Sequence, residues 1–321
     1  MALLSRVATL LYVLGRDLER TEHLARLLRV QSELSLDRSL LRGRRFWPDF
    51  LGLAGWVAPA SCSREHAIEL ALEDPSGPSL RRSMESVRSA ARAVRPSLSI
   101  EVWEQVNSLY WRLQEAGWRG DLYDYLHEIE LGTQLIGGLV DDTMAHDEAW
   151  AFVKLGKYLE RATNLTSIIT RKSQELVRHR DDPIAWASVL RCCAAFEAFR
   201  LRFEAPISGD VVARFVLLDR ASPRSVAFCV GLALAAVRHV EGPGGQSAPL
   251  RLIGQLSAMF EYADPWTVGA APRDFGVQFD RALLGLHGAL REVYFQPNRL
   301  ALNVQGEELS RQPQQQQQVG R

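Results

Sequence analysis

The chain has 321 residues, 47% of them hydrophobic, with 38 basic and 38 acidic side chains and no net charge at pH 7. That is enough apolar material for one large or two ordinary domains, and the even charge removes the electrostatic footprint that nucleic-acid binding needs. Cys62, Cys192, Cys193 and Cys229 have neither disulfide-framework nor zinc-ligand spacing, and the longest apolar run, Val226 to Val237, is too short to cross a bilayer.

Apolar residues recur at spacings of three and four almost throughout, and strand signals are nearly absent. The expected fold is therefore all-α, a single multi-helix bundle with two quasi-equivalent long helices and no sheet. Helices are predicted at 2–32, 39–52, 63–72, 79–94, 99–117, 121–144, 148–178, 184–204, 210–218, 223–240, 247–261 and 274–293. The breaks between them are too short for an interdomain linker, so residues 1–305 read as one helical domain. Met1 to Val13 lacks a separate apolar core with a cleavage site, so no secretion signal is read and a cytoplasmic location is expected.

The first helix carries a pattern that returns in the seventh. Leu11, Leu14, Gly15, Arg16, Leu18, Glu19, Arg20 and Leu24 match Phe152, Leu155, Gly156, Lys157, Leu159, Glu160, Arg161 and Leu165 at one offset of 141 residues without a gap. On a helix, Leu3, Val7, Leu10, Leu14, Leu18, Ala25 and Leu28 form the main apolar stripe, and Arg20 lies roughly 120° from Leu14, among Val13, Leu24 and Leu27. Arg161 sits equivalently among Leu165 and Ile168, while Glu19 and Glu160 project elsewhere and cannot simply pair with the adjacent arginine. Two readings follow. The arginines snorkel or bridge neighbouring helices while the glutamates are solvated, or the two copies pack together and their charged pairs line a shared cleft or interface, each arginine finding a carboxylate or a ligand.

Between and after the copies the sequence offers less. Arg38, Arg42, Arg44 and Arg45 read as a solvated patch, and His23 and His127 as helix-surface residues. Asp141, Asp142 and Asp147 have the spacing of magnesium-diphosphate ligands in helical prenyl synthases, but there is no second aspartate-rich motif. Asp147 and Glu148 fit better as the acidic start of the next helix, and no metal or cofactor is expected. Met144, Trp150 and Phe152 read as packing. In Asp219 to Ser225, Ser222 is a candidate N-cap and Pro223 a first helical residue. Arg224, Ser225 and free backbone donors would then hold an anion, or Arg224 simply meets a nearby carboxylate. No P-loop, dinucleotide loop, HExxH or GxSxG is present. From about residue 306 to 321 the chain turns to a glutamine run with nothing apolar to bury, and disorder is expected there.

The stretches LLSRVATLLYVLGRDLERTEHLARLL, DTMAHDEAWAFVKLGKYLERATNLTSII, VLRCCAAFEAFRLRF and VLLDRASPRSVAFCV together resemble the bacterial alpha-E domain family, in order from about residue 3 to at least 235. The family's pattern carries over to Arg6, Gly15, Arg16, Glu19, Arg20, Gly156, Glu160, Arg161, Glu197, Pro223, Arg224 and Ser225. Three positions depart from it: Val13 replaces an aromatic after Tyr12, Asp17 stands where an aromatic is common, and Ala221-Ser222 replaces an aromatic before Pro223. The resemblance implies an α-helical protein that works with a circularly permuted ATP-grasp protein resembling peptide ligases and a transglutaminase-like protein resembling peptidases. It thus implies a component of a peptide or amide-bond synthesis and modification system, with no activity of its own implied.

The leading expectation is a non-catalytic helical binding or scaffold component that binds an acidic peptide, another anion or the ligase, with Arg20, Arg161 and Arg224 facing the anion. The alternative is an enzyme of amide-bond metabolism using Glu19 or Glu160 as general base, which requires a carboxylate in a desolvated pocket. Arg16, Glu19, Arg20, Lys157, Glu160, Arg161, Glu197, Arg224 and Ser225 are the candidate binding residues. No nucleic acid or membrane is expected as a partner.

Overall fold

A computed structural model describes residues 3–36, 45–57, 59–115, 118, 120–175, 182–204 and 206–296. Among them are fourteen α-helices and no strand, so the fold is all-α. In the first half these are α1 (Ser5–Leu34), α2 (Phe46–Leu53), α3 (Arg64–Glu73), α4 (Leu80–Ala93), α5 (Ile100–Glu115) and α6 (Leu122–Thr143). The second half contains α7 (Glu148–Glu175), α8 (Pro183–Cys192), α9 (Phe196–Arg202), α10 (Gly209–Leu218), α11 (Val226–Glu241), α12 (Ala248–Glu261), α13 (Pro265–Ala270) and α14 (Pro272–Leu290), followed by a π turn at Arg291–Phe295. Among the described residues no helix is long and apolar enough to cross a membrane. The predicted Gln-rich tail at 306–321 lies outside the described residues, as do Arg38, Arg42 and Arg44 of the basic run; Arg45 is exposed and donates to the Pro59 carbonyl at 2.6 Å.

Helices α1 and α7 lie side by side at the centre. They run parallel and in register at the repeat offset, because Leu3 N donates to Glu148 at one end and Arg20 reaches Glu160 roughly three to five turns further on. The repeat glycines set how closely they approach. A Cβ on Gly15 would fall 1.9 Å from the Val153 carbonyl oxygen, and one on Gly156 would fall 2.1 Å from that of Tyr12. Val153 and Tyr12 are themselves equivalent under the 141-residue offset, so the contact has local two-fold character. Glycine costs roughly 1 kcal/mol of helix propensity relative to alanine, and here it makes the backbone contact sterically possible.

The helices around the central pair repeat the same order. α4 and α6 pack on α1, with α5 against both; α11 and α14 pack on α7, with α12 against both. The halves differ in what is inserted. α2 and α3 precede α4, whereas α8, α9 and α10 precede α11, and α13 interrupts the run from α12 to α14. This arrangement leaves α1 buried on nearly every side, including Asp17, Glu19, Thr21, Glu22, Arg26 and Gln31.

Three sequence expectations change. The predicted helix 184–204 is two helices, broken at Cys193–Ala195, where Ala194 takes a left-handed φ of 53°. α13 was not anticipated, although Asp264 caps it and Pro265 opens it. α11 starts at Val226, not Pro223. Its N-cap is Ser225, whose Oγ accepts from Phe228 N at 3.2 Å and donates to the Asp219 carbonyl. Ser222 and Pro223 therefore belong to the preceding turn.

Candidate functional site

The two Glu-Arg pairs meet across the α1–α7 contact and exchange partners. Arg161 makes a two-pronged bond to Glu19, with Nε to Oε1 at 2.7 Å and Nη2 to Oε2 at 2.6 Å, while Arg20 Nε donates to Glu160 Oε1 at 2.9 Å. Adjacent residues diverge on one helix, so each glutamate reaches the arginine of the other copy. The solvated-glutamate reading fails, since Glu19 is only 3% exposed, and the packed-copies reading holds. The crossed pairs differ in depth. The Arg20 side chain is 38% exposed and that of Arg161 only 8%, and Arg161 Nη1 also donates to the Pro223 carbonyl at 3.4 Å.

On the Glu19 side the bonds continue into a buried chain. Arg224 reaches Glu19 at 3.4 Å and donates to Glu22, and Arg26 donates to Glu22 at 2.5 Å. Arg26 then meets Glu130 at 3.3 Å, and Arg29 bonds Glu130 at 2.6 Å and Glu33 at 3.0 Å. Four arginines thus meet four glutamates. Burial alone would raise the Glu22 carboxyl, but Arg224, Arg26 and Arg161 outweigh it and hold that carboxyl well below the usual range. His23, expected on the surface, is half-buried in this cationic surrounding; burial and Arg26 push its imidazole down to about 3. His127 is exposed.

Arg224 therefore meets carboxylates, and the backbone donors expected to hold an anion at Ser222 to Ser225 serve the turn and the Ser225 cap. The Asp141 and Asp147 carboxylates are also engaged. Asp141 accepts from Lys154 Nζ at 2.6 Å and from Trp150 Nε1 at 3.0 Å, and Asp147 accepts from the Ala149 and Trp150 amides that open α7. Trp150 is thus partly a hydrogen-bonding residue, while Met144 and Phe152 are buried as packing.

Beside the Glu19–Arg161 pair lies a cavity of about 260 Å³ bordered by α1, α6, α7 and the Pro223–Arg224 turn. Gly15, Glu19 and Glu22 line it from α1, Gln134, Gly137, Gly138 and Asp141 from α6, and Lys154, Lys157 and Arg161 from α7. Lys157 is the unusual member. Among the described residues it has no carboxylate within 4.0 Å, although every other cation on the wall has one. Its Nζ lies above the bare face of α6, 3.1 Å from where a Cβ on Gly137 would stand. Burial and then Arg161 push the ammonium down to about 8.

The remaining candidates lie elsewhere. Arg16, Arg20 and Glu160 are on the other side of the α1–α7 contact, where Arg16 Nε donates to Asp17 Oδ1 at 2.7 Å and Ser86 Oγ donates to Asp17 Oδ2 at 2.5 Å. Asp17, a departure from the family's aromatic, is what neutralises Arg16. Burial raises the Glu160 carboxyl above its ordinary value, against the pull of Arg20. Glu197 is exposed and lines not the cavity but an open groove with Arg29, Tyr123 and Arg191, which adjoins the cavity at Gln134. Sequence reasoning missed Glu22, Arg26, Arg29, Glu33 and Glu130 as network members, and Lys154 as the partner of Asp141. Two pairs carried a local signal, Glu22 with Arg26 and Arg29 with Glu33, each spaced four apart on one helix.

Comparison with known proteins agrees with this picture. The chain is 27% identical over 237 residues to uncharacterized proteins of Mycobacterium bovis and Mycobacterium tuberculosis. The alignments cover 68% of this chain and 26% of those proteins, so the chain spans about a quarter of the curated relatives it matches. No solved structure matches. Residues 3–295 match a family described as a predicted alpha-helical domain with a conserved ER motif, which this chain carries twice, at Glu19-Arg20 and Glu160-Arg161; the chain belongs to the Alpha-E family.

Proposed function

We propose that this protein is a non-catalytic helical binding component of a peptide or amide-bond synthesis and modification system, working in the cytoplasm with an ATP-grasp ligase-like protein and a transglutaminase-like protein. One observation carries the binding reading over the enzymatic one. The carboxylates of the cavity, Glu19, Glu22 and Asp141, are each bonded to a fixed cation, whereas among the described residues Lys157 has no carboxylate within 4.0 Å. A general base needs a carboxylate whose proton affinity suits the reaction, and Glu22 is driven the opposite way. The association with the two partner proteins rests on the family resemblance.

A raised carboxyl at Glu160 favours the enzymatic alternative. It does not line the cavity and is bonded to Arg20, which leaves it remote from the space a substrate would enter.

The test is affinity purification of the tagged chain from its native cell with identification of the co-purifying proteins. Recovery of a ligase-like or transglutaminase-like protein supports the proposal. A chain that purifies alone and hydrolyses or forms amide bonds in vitro, with loss of that reaction in Glu160→Gln, overturns it in favour of the enzyme.

A further inference from the structure

We propose that the cavity between α1, α6 and α7 binds the carboxylate of an amino acid or peptide, with the Lys157 ammonium as its counter-charge. This deepens the binding-component reading and rests on it.

The charge count comes first. The cavity wall holds four cations, Lys154, Lys157, Arg161 and Arg224, against three carboxylates, Glu19, Glu22 and Asp141. The carboxylates are satisfied by Lys154, Arg161, Arg224 and Arg26. The surplus is one positive charge, located at Lys157. A partly buried ammonium with no carboxylate in contact is an expensive arrangement. A single carboxylate would balance it, whereas a phosphate dianion or a diphosphate would bring excess negative charge against Glu19 and Glu22.

The internal repeat supplies a comparison within the same molecule. Lys157 is equivalent to Arg16 under the 141-residue offset, and Tyr158 to Asp17. In the first copy the cation is neutralised from within the chain, because Asp17 bonds Arg16 through both oxygens, at 2.7 and 3.1 Å. In the second copy the equivalent position offers the Tyr158 ring, whose centroid is 5.8 Å from Lys157 Nζ, and no carboxylate. The flanks differ as well. Beside Arg16, Tyr12 packs on Phe295 with ring centroids 5.1 Å apart and its hydroxyl meets His287 at 3.3 Å. Beside Lys157, Val153 stands in place of Tyr12, and Gly137 and Gly138 present backbone only. The first half closes with its own carboxylate and aromatic rings, and the second half keeps both the space and the charge.

Size and access agree. About 260 Å³ is below the roughly 300–1,000 Å³ of pockets for drug-sized ligands, and it suits one short acidic side chain or one chain terminus. Gln134 and Gly138 are exposed at the edge of the cavity, and a Cβ at Gly138 would meet nothing within 4 Å, so the wall is open there.

Calorimetric titration of the full chain at pH 7 tests the proposal with four probes. N-acetyl-Ala-Glu-amide offers only a side-chain carboxylate, N-acetyl-Ala-Ala with a free C-terminus offers only a terminal one, N-acetyl-Ala-Ala-amide offers neither, and inorganic phosphate offers a small dianion. At least one carboxylate peptide is expected to bind tenfold or more tighter than the neutral amide and than phosphate, and which of the two binds identifies the source. Lys157→Met and Gly138→Leu, one removing the charge and the other obstructing the space, should each weaken that binding tenfold or more while their melting temperatures stay at or above that of the parent. Equal binding of the neutral amide, tighter binding of phosphate, no binding of either carboxylate, or full binding by Lys157→Met overturns the proposal. Partner recovery without carboxylate binding removes this inference alone, and carboxylate binding without partner recovery removes the association alone.

Discussion

Arg161 and Lys157 stand one turn apart on α7 and meet opposite circumstances. Arg161 is held on both prongs by Glu19, and its removal would leave a buried carboxylate with weakened compensation. Arg161→Met should therefore cost about 3–5 kcal/mol in urea unfolding, and the double change Glu19→Leu with Arg161→Met should recover part of that loss; additive costs would mean the pair is not coupled. Lys157 has no such partner, and its depressed ammonium makes ligand binding depend on pH. Facing it are Glu19 and Glu22 on α1, Asp141 on α6, Lys154, Tyr158 and Arg161 on α7, and Arg224 on the turn before α11. As pH rises through about 8 the free ammonium loses its proton, so carboxylate affinity should fall steeply between pH 7 and 9, measured by titration at each pH. The Glu-Arg duplication was legible from spacing alone, and so was the need of each arginine for a partner. The exchange of partners was not, because the distance between copies is a tertiary fact. The equivalence of Lys157 to Arg16 was also legible. The consequence of Asp17 facing one and Tyr158 the other was not, because without the packing of α6 nothing says which cation borders open space.

At the scale of elements, the glycines separate into two kinds. Gly15 and Gly156 lie where α1 and α7 touch through backbone, and an added methyl group would meet a carbonyl oxygen at about 2 Å, so the helices must move apart. Gly15→Ala should destabilise by about 3 kcal/mol, the upper end of ordinary overpacking, since the obstacle is backbone. Gly138, in the middle of α6, has nothing to collide with. Gly138→Ala should stabilise by up to about 1 kcal/mol through helix propensity, and thermal unfolding of both variants distinguishes the kinds. Most helices were readable because their starts carry Ser or Asp caps and their apolar residues keep a helical period. The break at Ala194 was not, since the apolar pattern runs through Cys192 and Cys193 while a single left-handed residue ends the helix. The start of α11 was misjudged because Ser222 and Ser225 are both competent caps, and the bond from Ser225 to the Asp219 carbonyl favours the later one.

For the whole molecule, the buried ion network ties stability to acid. His23 is neutral in the folded chain down to about pH 3, whereas an unfolded histidine takes a proton near 6.5. The unfolded state then binds more protons, so stability should begin to fall as pH drops below about 6.5, and Glu22, depressed by its arginines, adds to the fall below about 4.5. The melting temperature of the parent should drop more between pH 7 and 5 than that of His23→Gln; equal drops would place the acid sensitivity elsewhere. The parallel placement of α1 and α7 also bears on how the chain reaches this state. Glu19 and Arg161 are 142 residues apart, so the charges and the bare glycine face of α1 leave the ribosome long before the helix that covers them. Closing so long a loop costs entropy before any contact repays it. Folding must therefore wait for α7 before its central pair can assemble, and until then the helix with the most residues to bury is the one most in need of protection from aggregation.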